Sequence, residues 1–297
     1  MKIVWLVVIT LIAAMGCAPT PTAFPVPTST ALPAPTLAPL PTYTPLPTYT
    51  PYPTFTPPPL PTQVPAPAPT AARTPTATPG KVYASAFGIH YAQPEKYLAP
   101  GEQTRLGNPA LINALRGKPQ SITHLGEIYF WIRREFTTWT AGGATIGAVT
   151  VDQLLQTRRL GGCHDWGLVY ATLARELGYP TVLIDTAGIA WAKRARAGQK
   201  GPYLGHVFVE VFLAGKWILV DSTNNWYVEE NYDPTNGIIP LKMGDETEGL
   251  FVMRKGVDTW GYGIRSNAEL TRLMDESARQ LDPTTIQFPP YVFARFK

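Results

Sequence analysis

Cysteine is scarce in this chain, with two residues, Cys17 and Cys163, among 297. That count excludes a disulfide-stapled scaffold, which carries several pairs in a much shorter chain. Long blocks of like charge are also missing. The formal net charge is +4, and with Lys2 and Arg73 set aside the globular part is only slightly positive, so nucleic acid is not an expected partner. No Cys-x-x-Cys, no His-Glu-x-x-His and no oxygen-rich loop of calcium-binding spacing occurs, and neither a metal nor another cofactor is expected. The apolar run from Ile3 to Ala14 falls short of the ~20 residues that span a bilayer as a helix.

That run does fit the central part of a secretory signal. Met1-Lys2 supplies the positive start, and Gly16-Cys17 closes the segment with a small residue before a cysteine. Such an ending resembles the bacterial lipoprotein signal. The resemblance implies cleavage before Cys17, lipid on that cysteine, and anchoring of residue 18 onward at the outer face of the cell membrane. An uncleaved N-terminal anchor is the alternative, and it too places the rest outside the cytoplasm. With Cys17 carrying lipid, Cys163 has no intramolecular partner. It is then either a buried inert thiol or a reactive one.

Proline is the opposite of scarce, with 32 residues, many of them in residues 18–80. Pro41-Thr42-Tyr43-Thr44-Pro45 recurs as Pro47-Thr48-Tyr49-Thr50-Pro51 and Pro53-Thr54-Phe55-Thr56-Pro57. Proline at this density forbids helices and sheet ladders and favours extended polyproline II, so the stretch reads as a spacer. From residue 81 the composition is that of a folded protein, giving three segments: signal 1–17, spacer 18–80 and one domain over 81–297.

Within that domain, apolar spacing predicts a helix over 121–139 and another over 150–160 capped by Thr150. A third, apolar nearly all round and therefore buried, runs over 163–177 and stops at Gly178-Tyr179-Pro180. Strands are predicted at 181–185, 206–212 and 216–221, the last two joined by the tight turn Ala214-Gly215. A further strand is expected at 249–253 and a closing amphipathic helix at 267–281. Helices followed by an antiparallel sheet make an α+β domain with a helix packed on the sheet.

Gly161-Gly162-Cys163 opens the buried helix. Unpaired amides and the positive end of the helix dipole stabilise a thiolate there, and the Cys163 N–H is a natural half of an oxyanion hole. His206 opens one strand of the hairpin and Asp221 ends the other, close enough for Asp221 to orient His206 while the second ring nitrogen faces Cys163.

Gly161-Gly162-Cys163-His164-Asp165, Ala174-Arg175-Glu176-Leu177-Gly178-Tyr179-Pro180, Gly205-His206-Val207-Phe208-Val209-Glu210-Val211, Gly215-Lys216-Trp217 and Val220-Asp221-Ser222-Thr223 follow one another in order. That series resembles the transglutaminase-like superfamily, a branch of the papain-like fold. The resemblance implies a Cys163, His206, Asp221 triad and thioester chemistry on amide or isopeptide bonds. It implies a protein or peptide substrate, cell-wall peptides among the candidates, with hydrolysis favoured over transfer to an amine. A cross-linking transferase, a wall amidase and a non-catalytic binding module on the same fold are the alternatives.

His164 is read as a polar residue near the helix start rather than a catalytic group. Gln153 or Gln156 is considered for a second oxyanion donor. Trp217 is expected to pack beneath the triad. Trp226, Trp260 and Tyr262 are read as core residues, with a substrate groove as the alternative. Residues 187–204, with Lys193, Arg194, Arg196 and Lys200, are read as a basic surface loop, with a flap or a site for anionic polymers as the alternatives.

Overall fold

A computed structural model describes residues 85–139, 143, 145–199 and 201–297. All of them belong to the compact unit Ala71–Lys297. The signal, Cys17, the Pro/Thr-rich spacer and Lys200 lie outside the described residues.

In chain order the elements are α1 (Ile122–Glu135), β1 (Thr138–Trp139), α2 (Val151–Thr157), β2 (Arg159–Leu160), α3 (Cys163–Glu176), β3 (Thr181–Gly188), α4 (Ile189–Arg196), β4 (Gly205–Leu213), β5 (Lys216–Asp221), β6 (Trp226–Val228), β7 (Ile238–Ile239), β8 (Leu250–Gly256), α5 (Asn267–Gln280) and β9 (Ala294–Arg295). Seven strands form one sheet in the order β7-β8-β3-β4-β5-β6-β9, with every pairing antiparallel. The expected α+β class is what is found.

Local chemistry explains the boundaries. Thr150 caps α2 through a capping box with Gln153, and Arg158 ends it at φ 55°, in the left-handed region. Ser121 and Ser266 cap α1 and α5 in the same way, each accepting from the amide three residues on. The β4–β5 hairpin turns at Ala214 (φ 50°) and Gly215 (φ 85°), the two positive values a tight hairpin turn requires.

The sheet separates two apolar layers. On one face α1, α2 and α3 cover Leu183, Val207, Val209, Val211, Ile218 and Val220. On the other, Val182, Ile184, Phe208, Trp217 and Leu219 pack with Tyr91, Tyr97, Tyr232 and Tyr291. Trp217 pairs with Phe212 at the turn end of the β4–β5 hairpin, the opposite end from His206 and Asp221, so it does not lie beneath the catalytic candidates. It is fully buried among Tyr91, Tyr97 and Phe212, and its indole donates to the Tyr91 carbonyl at 3.1 Å.

The basic loop expected over 187–204 is largely ordered structure. β3 runs on to Gly188, and α4 follows with Ile189, Ala190, Trp191 and Ala192 buried. Two of its cations are in use within the fold. Lys193 pairs with Glu248, and Arg196 Nη1 donates to the carbonyls of Arg279 and Leu281 at 2.7 and 2.6 Å. Those carbonyls lie at the C-terminal end of α5, where a cation is favoured by the helix dipole. The segment thus clamps α5 in place.

Candidate active site

Cys163 is the first residue of α3, and the helix emerges from Gly162 at φ 139°. An L side chain rarely adopts that backbone conformation, so glycine is what lets the chain turn into the helix there. Gly162 has no side chain to cap the first-turn amides. Gly161 is bound instead. Its N–H donates to the Asp165 carboxylate, which also accepts from Thr145. A Cβ at Gly161 would stand 2.4 Å from Thr145 Oγ1, so this corner closes only around glycine.

β4 begins at Gly205 and presents His206 to Cys163, and the two side chains are hydrogen-bonded. His206 Nε2 lies 3.0 Å from Asp221 Oδ1, which leaves Nδ1 as the ring nitrogen for the thiol. The Nε2 approach is close in distance yet poorly aligned for a hydrogen bond, as is common in unliganded sites. Thr186 Oγ1 donates to the His206 carbonyl at 2.8 Å and ties the start of β4 to β3.

Asp221, 1 % exposed, is oriented by its own turn. Oδ1 accepts from the amides of Thr223 and Asn224, both at 3.0 Å, and Oδ2 accepts from Asn224 Nδ2 at 2.9 Å. The sequence placed Cys163, His206 and Asp221 together, and the structure does so. Asn224 was missed, although an aspartate followed by small polar residues is a signal for such a turn.

Electrostatics match the geometry. Burial pushes the Cys163 thiol up, but the hydrogen bond and charge of His206, followed by the charge of His164, bring it below its ordinary value. Burial works against charge on His206. The Asp221 carboxylate and the Cys163 sulfur outweigh it and raise the imidazole to about 10. Burial raises Asp221, and His206 together with Asn224 holds it below the usual carboxylate range. The shifts of Cys163 and His206 both act in the direction of a thiolate–imidazolium pair.

Cys163 opens onto a cleft of about 610 Å³. Gly143, Ile146 and Trp166 line one part, Tyr203 and Val207 another, and Leu270, Thr271 and Met274 of α5 form a wall. The half-buried sulfur sits with His206, His164 and Asp185 among these largely apolar groups. Gln153 is engaged in the α2 cap and Gln156 is exposed, and neither lines the cleft. Trp226, Trp260 and Tyr262 are not cleft residues either. The aromatic walls are Trp166 and Tyr203, and α5 arrives from about 100 residues downstream of Cys163 with no local signal of that role. Among the described residues no cluster of three or more potential ligands is placed to hold a metal ion.

Residues 109–222 match the transglutaminase-like superfamily. Among solved structures, a candidate cysteine protease from Cytophaga hutchinsonii is similar at 18% identity and TM-score 0.40, over 56% of this chain and 47% of that one. The periplasmic domain of TgpA from Pseudomonas aeruginosa, bound to ethylmercury, is similar at 23% identity and TM-score 0.32, over 44% and 48%. The chain thus spans about half the length of each. No curated protein matches its sequence.

Proposed function

Since residues 109–222 match the transglutaminase-like superfamily, we propose that this protein is an extracytoplasmic thiol enzyme that cleaves amide or isopeptide bonds through Cys163, His206 and Asp221. The observation that carries this reading is the line from the Cys163 thiol through its hydrogen bond to His206 and on to Asp221 at 3.0 Å. It begins at a helix N-terminus and opens into a cleft.

The Cys163 thiolate attacks the carbonyl carbon and forms a C–S bond. The oxygen takes the negative charge next to the first-turn amides of α3. The C–N bond then breaks while His206 passes its proton to the departing amine, leaving a thioester. Water gives a proton to the now neutral His206 and attacks, and the C–S bond breaks to release a carboxylic acid and restore the thiolate. An amine in place of water would give transfer, and hydrolysis is the reading retained.

The leader supports a location outside the cytoplasm, with Cys17 lipidated at the outer face of the membrane. Labelling with a fatty-acid analogue, lost in Cys17→Ser, tests that placement. For the chemistry, the full chain is incubated with a peptide and isopeptide mixture and a primary amine, and products are read by mass. Bond scission with water added, abolished in Cys163→Ala, is the expected result. No turnover together with a Cys163 of ordinary reactivity would replace the enzyme by a binding module on the same fold.

A further inference from the structure

His164 is not the peripheral polar residue that its place at a helix start suggests. It is 3% exposed, and its Nε2 lies 2.7 Å from Oδ1 of Asp185. Asp185, 1% exposed, sits inside β3, an interior strand of the sheet between β8 and β4. The β3–β8 register shifts between Asp185 and Thr186. Bulges of this kind re-aim side chains beside active sites, and here both Asp185 and Thr186 line the cleft. The second carboxylate oxygen, Oδ2, accepts from the Tyr262 hydroxyl. A buried carboxylate between a phenol and an imidazole is a costly arrangement to keep unless all three are paired.

We propose that His164, fixed by Asp185 and Tyr262, is a positioning residue for the Cys163 thiolate, so that two imidazole–carboxylate pairs rather than one hold the nucleophile. The proposal rests on the reading of Cys163 as the nucleophile. His164 follows Cys163 on α3, and both line the same cleft. The charge of His164 favours the thiolate more than that of the more distant Asp185 opposes it. The net effect of the pair on the thiol is to favour its charged form. The groups facing His164 are Cys163 and Asp165 on α3 and Asp185 on β3, all of which favour its charge. Burial opposes it, and the outcome is an imidazole raised to about 9.

His164 does not share the role of His206. In the proposed cycle His206 gives up its proton when the amine leaves and regains one when water attacks. Nδ1 of His164 is buried with no hydrogen-bond partner, and Nε2 is held by Asp185, so its proton stays. Its charge is then present at the moment the C–S bond breaks, when His206 alone would be the sulfur's support.

The test is the pH dependence of iodoacetamide alkylation in the full chain, read by mass on the peptide containing Cys163. Wild type is compared with His206→Ala, His164→Gln and the double variant, and folding is checked by circular dichroism. His164→Gln should slow alkylation at pH 6 about tenfold, the effect of one unit on the thiol. His206→Ala alone should keep a partly depressed thiol, and the double variant should reach the ordinary value near 8.5. Tyr262→Phe, which removes only a hydroxyl, should shift the profile the same way by less, and it keeps the test open if His164→Gln does not fold. A wild-type profile reproduced by folded His164→Gln, or by folded Tyr262→Phe where His164→Gln does not fold, while His206→Ala raises the thiol, overturns this inference and leaves the enzyme reading standing. An ordinary thiol in the wild type overturns both.

Discussion

His206 meets Asp221 across a hairpin in which the two residues are not directly opposite. The β4–β5 register pairs Val209 with Val220, so one step further Asp221 faces Phe208 and His206 is its diagonal neighbour. Diagonal neighbours are ~7–8 Å apart at Cα, within reach of an imidazole. The reach works because Asp221 is already aimed by Thr223 and Asn224. Asp221→Asn keeps the shape but replaces an acceptor oxygen with a donor and favours the wrong tautomer of His206. Turnover should fall by roughly 10²–10⁴. Asn224→Ala removes one bond of three and should cost about tenfold or less. Steady-state kinetics on whichever substrate the screen identifies decides this, and equal effects of the two variants would contradict the ranking.

The raised imidazoles also fix the sign of a stability change on the alkaline side. Unfolded histidine titrates near 6.5, whereas His164 and His206 titrate at about 9 and about 10 in the folded protein. Each raised imidazole holds a proton that the unfolded chain has lost. Below about 8.5, however, the lowered Cys163 thiol has given up one that the unfolded chain keeps, so His206 and Cys163 offset each other there. The excess is that of His164, and stability present below about 6.5 is then lost as pH rises. Asp221 is depressed and acts on the acid side, where its contribution is lost as pH falls through its folded value. The melting temperature should therefore drop from pH 7 to pH 10 by several degrees. His164→Gln should flatten that slope near neutral pH, and an unchanged slope would mean that His164 is neutral at pH 7.

How much of this was legible from sequence depends on the range of each interaction. The hairpin, the α3 start and the three candidate site residues follow from local signals, namely period-two alternation, Ala214-Gly215 and Gly161-Gly162-Cys163. The hydrophobic runs gave α1, α2, α3, α5 and the main strands to within a few residues, whereas α4 lies in the stretch read as a loop. The short strand β9 pairs with β6 across some 70 residues and leaves no such pattern. Asp185 was the one available hint of the second pair. A carboxylate ending the apolar run Val182-Leu183-Ile184 needs a partner, but nothing local says that it is His164, or that Tyr262 completes it. The role of α5 as a cleft wall is likewise set by packing, through Met274 and Arg196.

The entry into α3 makes a backbone prediction. A Cβ on Gly162 would meet only the Gly143 backbone at 3.6 Å, so space is not the obstacle. The φ of 139° is, and holding alanine there costs about 1–3 kcal/mol. Gly162→Ala should thus lower stability and, by relaxing φ, move Cys163 away from His206. Gly161→Ala acts instead through contact with Thr145 and Asp165, so Thr145→Ala should partly rescue it. Alkylation rates at pH 6 across these variants and the double variant give the answer. Rescue of Gly162→Ala by Thr145→Ala would contradict the distinction.

On the face of the sheet away from α3, Lys255 and Glu210 form an ion pair at 2.6 Å with neither side chain exposed. Glu210 also accepts from Tyr91 and Tyr232, and Lys255 donates to Tyr91 and the Pro234 carbonyl. Such a pair adds little net stability over apolar replacements, but breaking it strands a buried charge at a cost of about 3–5 kcal/mol. Lys255→Met leaves the Glu210 carboxylate facing two phenols without its cation. Melting should fall by roughly 10 °C, while the Cys163 alkylation profile of the folded variant stays as in the wild type, because the α3 layer lies on the opposite face. Lys255→Met with Glu210→Gln should recover much of the loss, since the amide no longer needs a counter-charge. A thiol profile that moves with Lys255 would instead mean that the network steers His206 through Phe208, whose ring lies 4.8 Å from the imidazole.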